Sequence, residues 1–139
     1  MKKIAASENI EDFLDSNYIY VDKTEYTYRL TENYKRVFFS RPRRFGKSLT
    51  LNTIGTLFSK GVEPYFKGTF IYDKWQQGKF PVLHFSFLHY PVDNLAEFKR
   101  QLCNDLSNTA ASLGLTTYRE DKEPNVCIKN LLSALPDGQ

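Results

Sequence analysis

Lys35-Arg36-Val37-Phe38-Phe39-Ser40-Arg41-Pro42-Arg43-Arg44-Phe45-Gly46-Lys47-Ser48 joins a short apolar run to a basic turn ending in Gly-Lys-Ser. That order of residues reads as a phosphate-binding loop. Gly46 lets the backbone approach an anion where a Cβ would obstruct it. Lys47 brings a compact ammonium able to reach the outer phosphates of a nucleotide, and Ser48 brings a hydroxyl for a magnesium ion bridging them. The residues after the loop, Leu49 to Lys60, have a helical pattern, so the loop amides and a helix N-terminus would face the same anion. The first half of the loop departs from the general pattern. Arg41 stands where a glycine is usual, five positions before Gly46, and Pro42 has no N–H to donate. Arg41, Arg43 and Arg44 compensate in part, because a guanidinium pairs with phosphate oxygens as a bidentate fork.

Working outward, Val37-Phe38-Phe39 is apolar on successive residues, which predicts a strand over Val37 to Ser40 covered on both faces. In the following helix Leu51, Ile54, Leu57 and Phe58 recur at three- and four-residue steps, and Gly61 supplies a stop. Upstream, Tyr18 to Val21 reads as extended. Asp22 with Glu25 has capping-box spacing for a helix reaching about Asn33. From Gly61 to Gly78 no period is visible, so that stretch reads as a structured connection with a short helical or 3₁₀ turn, its aromatics sealing a sheet edge. Val82 to Leu88 predicts a second buried strand. Leu95, Phe98, Leu102, Leu106 and Leu113 mark a long amphipathic helix stopped by Gly114. A polar loop over Thr116 to Pro124 leads to a last helix, Asn125 to Leu135, with Ile128, Leu131, Leu132 and Leu135 on its buried side. His84 reads as a core or sheet-face residue, His89 as a loop residue, and Tyr65, Phe66 and Trp75 as packing.

Ser40-Arg41-Pro42-Arg43-Arg44-Phe45-Gly46-Lys47-Ser48 resembles the loop of the bacterial AAA-ATPase-like family, whose P-loop domain is often fused to a PD-(D/E)XK-type nuclease domain. Tyr20-Val21-Asp22-Lys23-Thr24 is similar to the segment preceding that loop. Tyr65-Phe66-Lys67-Gly68-Thr69-Phe70-Ile71 and Pro81-Val82-Leu83-His84-Phe85 are similar to the family's next two landmarks. The resemblance implies an α/β fold, an incomplete P-loop NTPase core of the AAA/ASCE kind, with parallel-type strands and flanking helices. The sheet order of that class, 5-1-4-3-2, would leave the two expected strands apart, with unpaired edges between them. The resemblance further implies one domain over residues 1–139: a lead-in segment and helix over 1–34, and over 35–139 the N-terminal part of the core. Two departures stand out. Ser86 occupies a position where the family usually has Asp, and the acidic Walker B strand that follows a segment similar to Leu131 to Gln139 has no counterpart here. Phosphoryl transfer rests on positioning and electrostatics, so binding with little or no hydrolysis by this chain alone is expected.

The composition agrees with one globular domain. Of 139 residues 41% are hydrophobic and 15% aromatic, enough to build a core. The formal net charge is only +3, yet six basic residues and no acidic one fall between Lys35 and Ser48, concentrating the positive field at the loop. Cys103 and Cys127 read as reduced packing thiols, without metal-ligand spacing. With no signal-peptide core and no apolar run near membrane-spanning length, no membrane partner is expected and the cytoplasm is the expected location.

The expected nucleotide-binding residues are therefore Arg41, Arg43, Arg44, Phe45, Gly46, Lys47, Ser48 and Leu49, with Ser48 also on the metal. ATP and Mg2+ are the implied cofactors, and no catalytic residue is assigned. Asp22, Lys23 and Thr24 are either a helix cap or a nucleotide contact. The expected partners are a nucleotide, the remainder of an ATPase or a nuclease domain, and, indirectly, nucleic acid. The competing reading is a non-catalytic basic module whose arginine-rich turn contacts nucleic-acid phosphates without sequence preference.

Overall fold

The computed structural model describes residues 7, 9–13, 18–91 and 93–136. Four α-helices dominate: α1 (Thr24–Asn33), α2 (Lys47–Lys60), α3 (Leu95–Ser112) and α4 (Pro124–Ala134), with a 3₁₀ turn at Glu11–Phe13 before them. The chain divides into two compact units, Met1–Val82 and Leu83–Gln139.

In the first unit Ile10, Leu57, Phe66 and Ile71 form the buried centre, with Tyr20, Tyr28, Leu49 and Trp75 packed on it. The Phe58 ring meets Trp75 edge-on at 5.0 Å, while Trp75 Nε1 is buried without a hydrogen-bond partner among the described residues. The connection from Gly61 to Gly78 is a series of turns with no regular helix. Polar pins hold it to α1. Asp22 accepts from the Thr24 amide at 2.8 Å and the Phe70 amide at 2.7 Å, and the Ile71 amide donates to Thr24 Oγ1 at 3.2 Å. The Asp22 carboxylate thus serves a turn and a long-range contact rather than a reciprocal capping box, and α1 begins after Lys23 with no side-chain cap. The buried Thr53 hydroxyl of α2 is satisfied within the helix, donating to the Leu49 carbonyl at 2.7 Å.

In the second unit α3 and α4 enclose Leu102, Cys103, Leu106, Ala110, Cys127 and Leu131, with Tyr90 capping the cluster. Asn94 caps α3 by accepting from the Glu97 amide at 3.1 Å. Pro124 opens α4, where its missing N–H costs no helical bond. Both cysteines are free and buried. Asp137, Gly138 and Gln139, part of the last family-like segment, lie outside the described residues.

The expected α/β core is not what forms: among the described residues there is no β-strand and no sheet, Tyr18 being a lone bridge position. The two apolar runs expected as strands explain the difference. A run of apolar residues encodes burial, whereas a strand exists only where a neighbour completes its hydrogen-bond ladder. Around Val37 to Ser40 no such neighbour is present among the described residues, and Phe38 is 94% exposed. In the second run Leu83 and Phe85 pack onto the core while Val82, His84 and Ser86 face outward. That run is extended in pattern but covered on one face. His84 is accordingly an exposed residue rather than a core one.

Helix faces shift for the same reason. The buried stripe of α2 is Thr53, Thr56 and Leu57, and Leu51 is exposed. On α4 Cys127 and Leu131 are buried, whereas Ile128 and Leu132 are open to solvent.

Candidate phosphate-binding site

The turn between Ser40 and α2 is shaped by two residues in the left-handed region, Arg44 at φ 65° and Gly46 at φ 73°. Gly46 is the residue directly before α2, and an added Cβ there would meet nothing within 4 Å, so the conformation itself is what selects glycine. The Gly46 carbonyl accepts from the Thr50 amide at 2.9 Å and closes the first helical turn. The amides of Lys47, Ser48 and Leu49, ahead of that bond, have no carbonyl partner inside the helix. They stand at the positive end of the α2 dipole, whose first turn holds no acidic residue.

Lys47 crosses back over the turn. Its Nζ donates to the Arg41 carbonyl at 2.6 Å and the Pro42 carbonyl at 3.0 Å. The ammonium is thus held at the loop by neutral acceptors, with its charge uncancelled by any carboxylate among the described residues. Arg43 and Arg44 are exposed and take part in no ion pair among those residues.

A cavity of about 620 Å³ opens here, lined by Arg43, Arg44, Gly46, Lys47, Ser48 and Leu49 together with Ser7. Six of the eight expected residues meet in this one space. The other two, Arg41 and Phe45, line an adjoining cavity of about 280 Å³ that shares Gly46 and Leu49 with the first. Arg41 is drawn aside by the Phe39 ring, 4.7 Å below its guanidinium carbon. The adjoining cavity also takes in Phe13, Tyr20 and Lys23, which the loop motif alone did not point to. Tyr20 and Lys23 carry a signal in the Tyr20-Val21-Asp22-Lys23-Thr24 segment; Phe13 has none beyond its aromaticity. Burial, reinforced by the Asp22 charge, pushes the Tyr20 hydroxyl up to about 12, so it is a neutral wall of that cavity.

The family profile described as a predicted AAA-ATPase matches residues 5–137. The chain belongs to the predicted AAA-ATPase family. This membership supports an ATPase-like module. The loop and both cavities fall inside the matched region, which takes in most of each compact unit. The chain is also similar to a protein described as an uncharacterized protein in the vnfD 5′ region of Azotobacter chroococcum mcd 1, 38% identical over 108 residues. That alignment covers 76% of this chain but 21% of the relative, so the chain spans about a fifth of that relative's length. No solved structure matches the chain. Among the described residues no helix is long and apolar enough to cross a membrane.

The donor set suits a polyphosphate: two guanidinium groups, one ammonium and a helix N-terminus around one cavity, with no carboxylate in its lining among the described residues. It suits a metal ion less directly. Among the described residues no three His, Cys, Asp or Glu side chains are grouped to hold one, and Ser48 is the hydroxyl next to Lys47.

Proposed function

We propose that this chain is a nucleotide-binding module that holds the phosphate tail of ATP in the loop cavity and turns it over slowly or not at all by itself. The observation that supports this reading is the convergence of Arg43, Arg44, Lys47 and the open N-terminus of α2 on one cavity without a carboxylate among the described residues. Lys47 neutralises the outer phosphates, exchanging the Arg41 and Pro42 carbonyls for phosphate oxygens. Gly46 keeps the approach clear, the amides of the first helical turn donate to the anion, and Arg43 and Arg44 clamp its flanks. Mg2+ supplies charge neutralisation between phosphates, and Ser48 is the protein group that would hold it. Slow turnover follows from the same lining. A water attacking phosphorus needs an orienting or proton-accepting group, and no Asp or Glu lines the cavity among the described residues.

Isothermal titration of the chain with Mg–ATP tests this. Saturable binding that weakens at least about tenfold in Lys47→Ala, the loss of one charge-assisted contact, is the expected result. Equal heats for both proteins would remove the proposal. A steady-state phosphate-release assay should give the same background rate for the wild type and for Lys47→Ala.

A further inference from the structure

A second group of cations and aromatic rings lies outside the loop cavity. Between α1 and the Phe39–Arg41 segment is a cavity of about 400 Å³ whose lining includes Lys23, Tyr26, Arg29, Tyr34, Phe39 and Arg41. It shares no residue with the loop cavity. A further cavity of about 270 Å³ continues from it along Tyr34 and Phe39, which line both, and adds Lys35 beside an apolar wall of Val37, Leu51, Ile54 and Phe58. Among the described residues no acidic side chain lines either part of this groove.

Three of its four cations are uncompensated among the described residues. Lys23, Lys35 and Arg41 enter no ion pair among the described residues, and only Arg29 is matched, by Glu25 at 2.5 Å. Neighbouring carboxylates are engaged elsewhere: Asp22 by two backbone amides, Glu32 by the Gln77 side chain at 3.0 Å. Two tyrosine rings stand open beside these cations, Tyr26 at 65% and Tyr34 at 62% exposure.

Each class of occupant meets this surface differently. An apolar helix or strand would bury three unpaired cations at a cost of several kcal/mol per ion. An acidic peptide would use the cations and leave the ring faces unused. Duplex DNA keeps its base faces stacked inside, beyond the reach of the tyrosines. A single strand offers both a polyanionic backbone and free base faces.

We infer that this groove binds single-stranded nucleic acid, its backbone along Lys23, Lys35 and Arg41 and its bases on Tyr26 and Tyr34. The inference does not depend on nucleotide binding at the loop.

Fluorescence anisotropy with a labelled oligothymidine tests it, using the full chain. Binding should weaken as salt rises, by about tenfold in each of Tyr26→Ala and Tyr34→Ala, and hardly at all in Tyr26→Phe and Tyr34→Phe, which keep the ring. Arg41→Gln should make the slope of log K against log salt shallower by about 0.7. Lys47→Ala and an excess of Mg–ATP should leave the affinity unchanged. Displacement by ATP or loss in Lys47→Ala would overturn the inference by moving the strand to the loop. So would affinity indifferent to the tyrosine-to-alanine changes, equal capture of polyglutamate, or no binding at low salt. The two tyrosines are mostly exposed, so circular dichroism of the variants should match the wild type.

Discussion

Lys47 Nζ donates to the Arg41 carbonyl at 2.6 Å, so the residue that begins α2 clasps the residue that begins the turn. The clasp holds the ammonium at the mouth of the cavity, because the alternative rotamers of a free lysine would carry it into solvent. Lys47→Met, which keeps much of the side-chain length without the charge, should therefore lose nucleotide affinity as Lys47→Ala does, at least about tenfold. Thermal unfolding of the two variants should lie close to the wild type, since a contact at the exposed loop contributes little to the core. A melting temperature lowered as much as by a core deletion would show the clasp to be structural instead.

Gly46 sits at φ 73° with open space where a Cβ would go. Gly46→Ala should cost roughly 1–2 kcal/mol through backbone strain alone, and Gly46→Asn less, because asparagine tolerates the left-handed region. Urea unfolding of the three proteins checks the order. Equal stability of alanine and glycine would mean the loop relaxes out of this conformation.

Asp22 links the start of α1 to the connection through the amides of Thr24 and Phe70. Removing the carboxylate in Asp22→Ala leaves both donors without this acceptor and should destabilise by about 1.5–3 kcal/mol, the range for hydrogen bonds to a charged group. Asn94→Ala, which removes the cap of α3, should cost about 1 kcal/mol. Denaturant titration separates the two, the larger loss belonging to Asp22.

Burial pushes the Cys103 thiol up to about 11 from its ordinary 9.0, with the neighbouring Cys127 thiol adding to the effect. The native state then holds a proton that the unfolded chain releases, so stability is complete below about pH 8.5 and declines as pH rises toward 11. Tyr90, held up to about 12 by burial and by Asp105, adds a decline of the same sign at higher pH. The urea midpoint should fall between pH 8 and 10.5, and less steeply in Cys103→Ala. The same burial predicts slow alkylation of Cys103 by iodoacetamide at pH 8 in the native protein.

Local punctuation and long periodicity were the legible parts of this chain. Gly46, Gly61 and Gly114 all adopt positive φ at the helix boundaries where glycine was expected, and α2, α3 and α4 fall within one or two residues of their predicted bounds. The loop motif likewise brings Arg43 through Ser48 to one place, apart from Phe45. What failed was pairing. Val37-Phe38-Phe39 and Val82 to Leu88 carry the composition of buried strands, but a ladder is a property of two segments, and neither run records its partner. The helix faces drawn toward that absent sheet were misjudged with it. Leu51, Ile54 and Phe58 line the groove beside Val37 and Phe39 instead of a closed core. The stacking of Arg41 on Phe39 is not legible in the sequence, because it depends on a turn geometry that spacing does not encode.

The most direct test is hydrogen exchange of the chain with and without Mg–ATP, followed by mass spectrometry at peptide resolution. The account predicts slowed exchange in the peptide spanning Arg41 to Thr50, and no such slowing in Lys47→Ala. Protection that appears elsewhere, or that persists in Lys47→Ala, would contradict it.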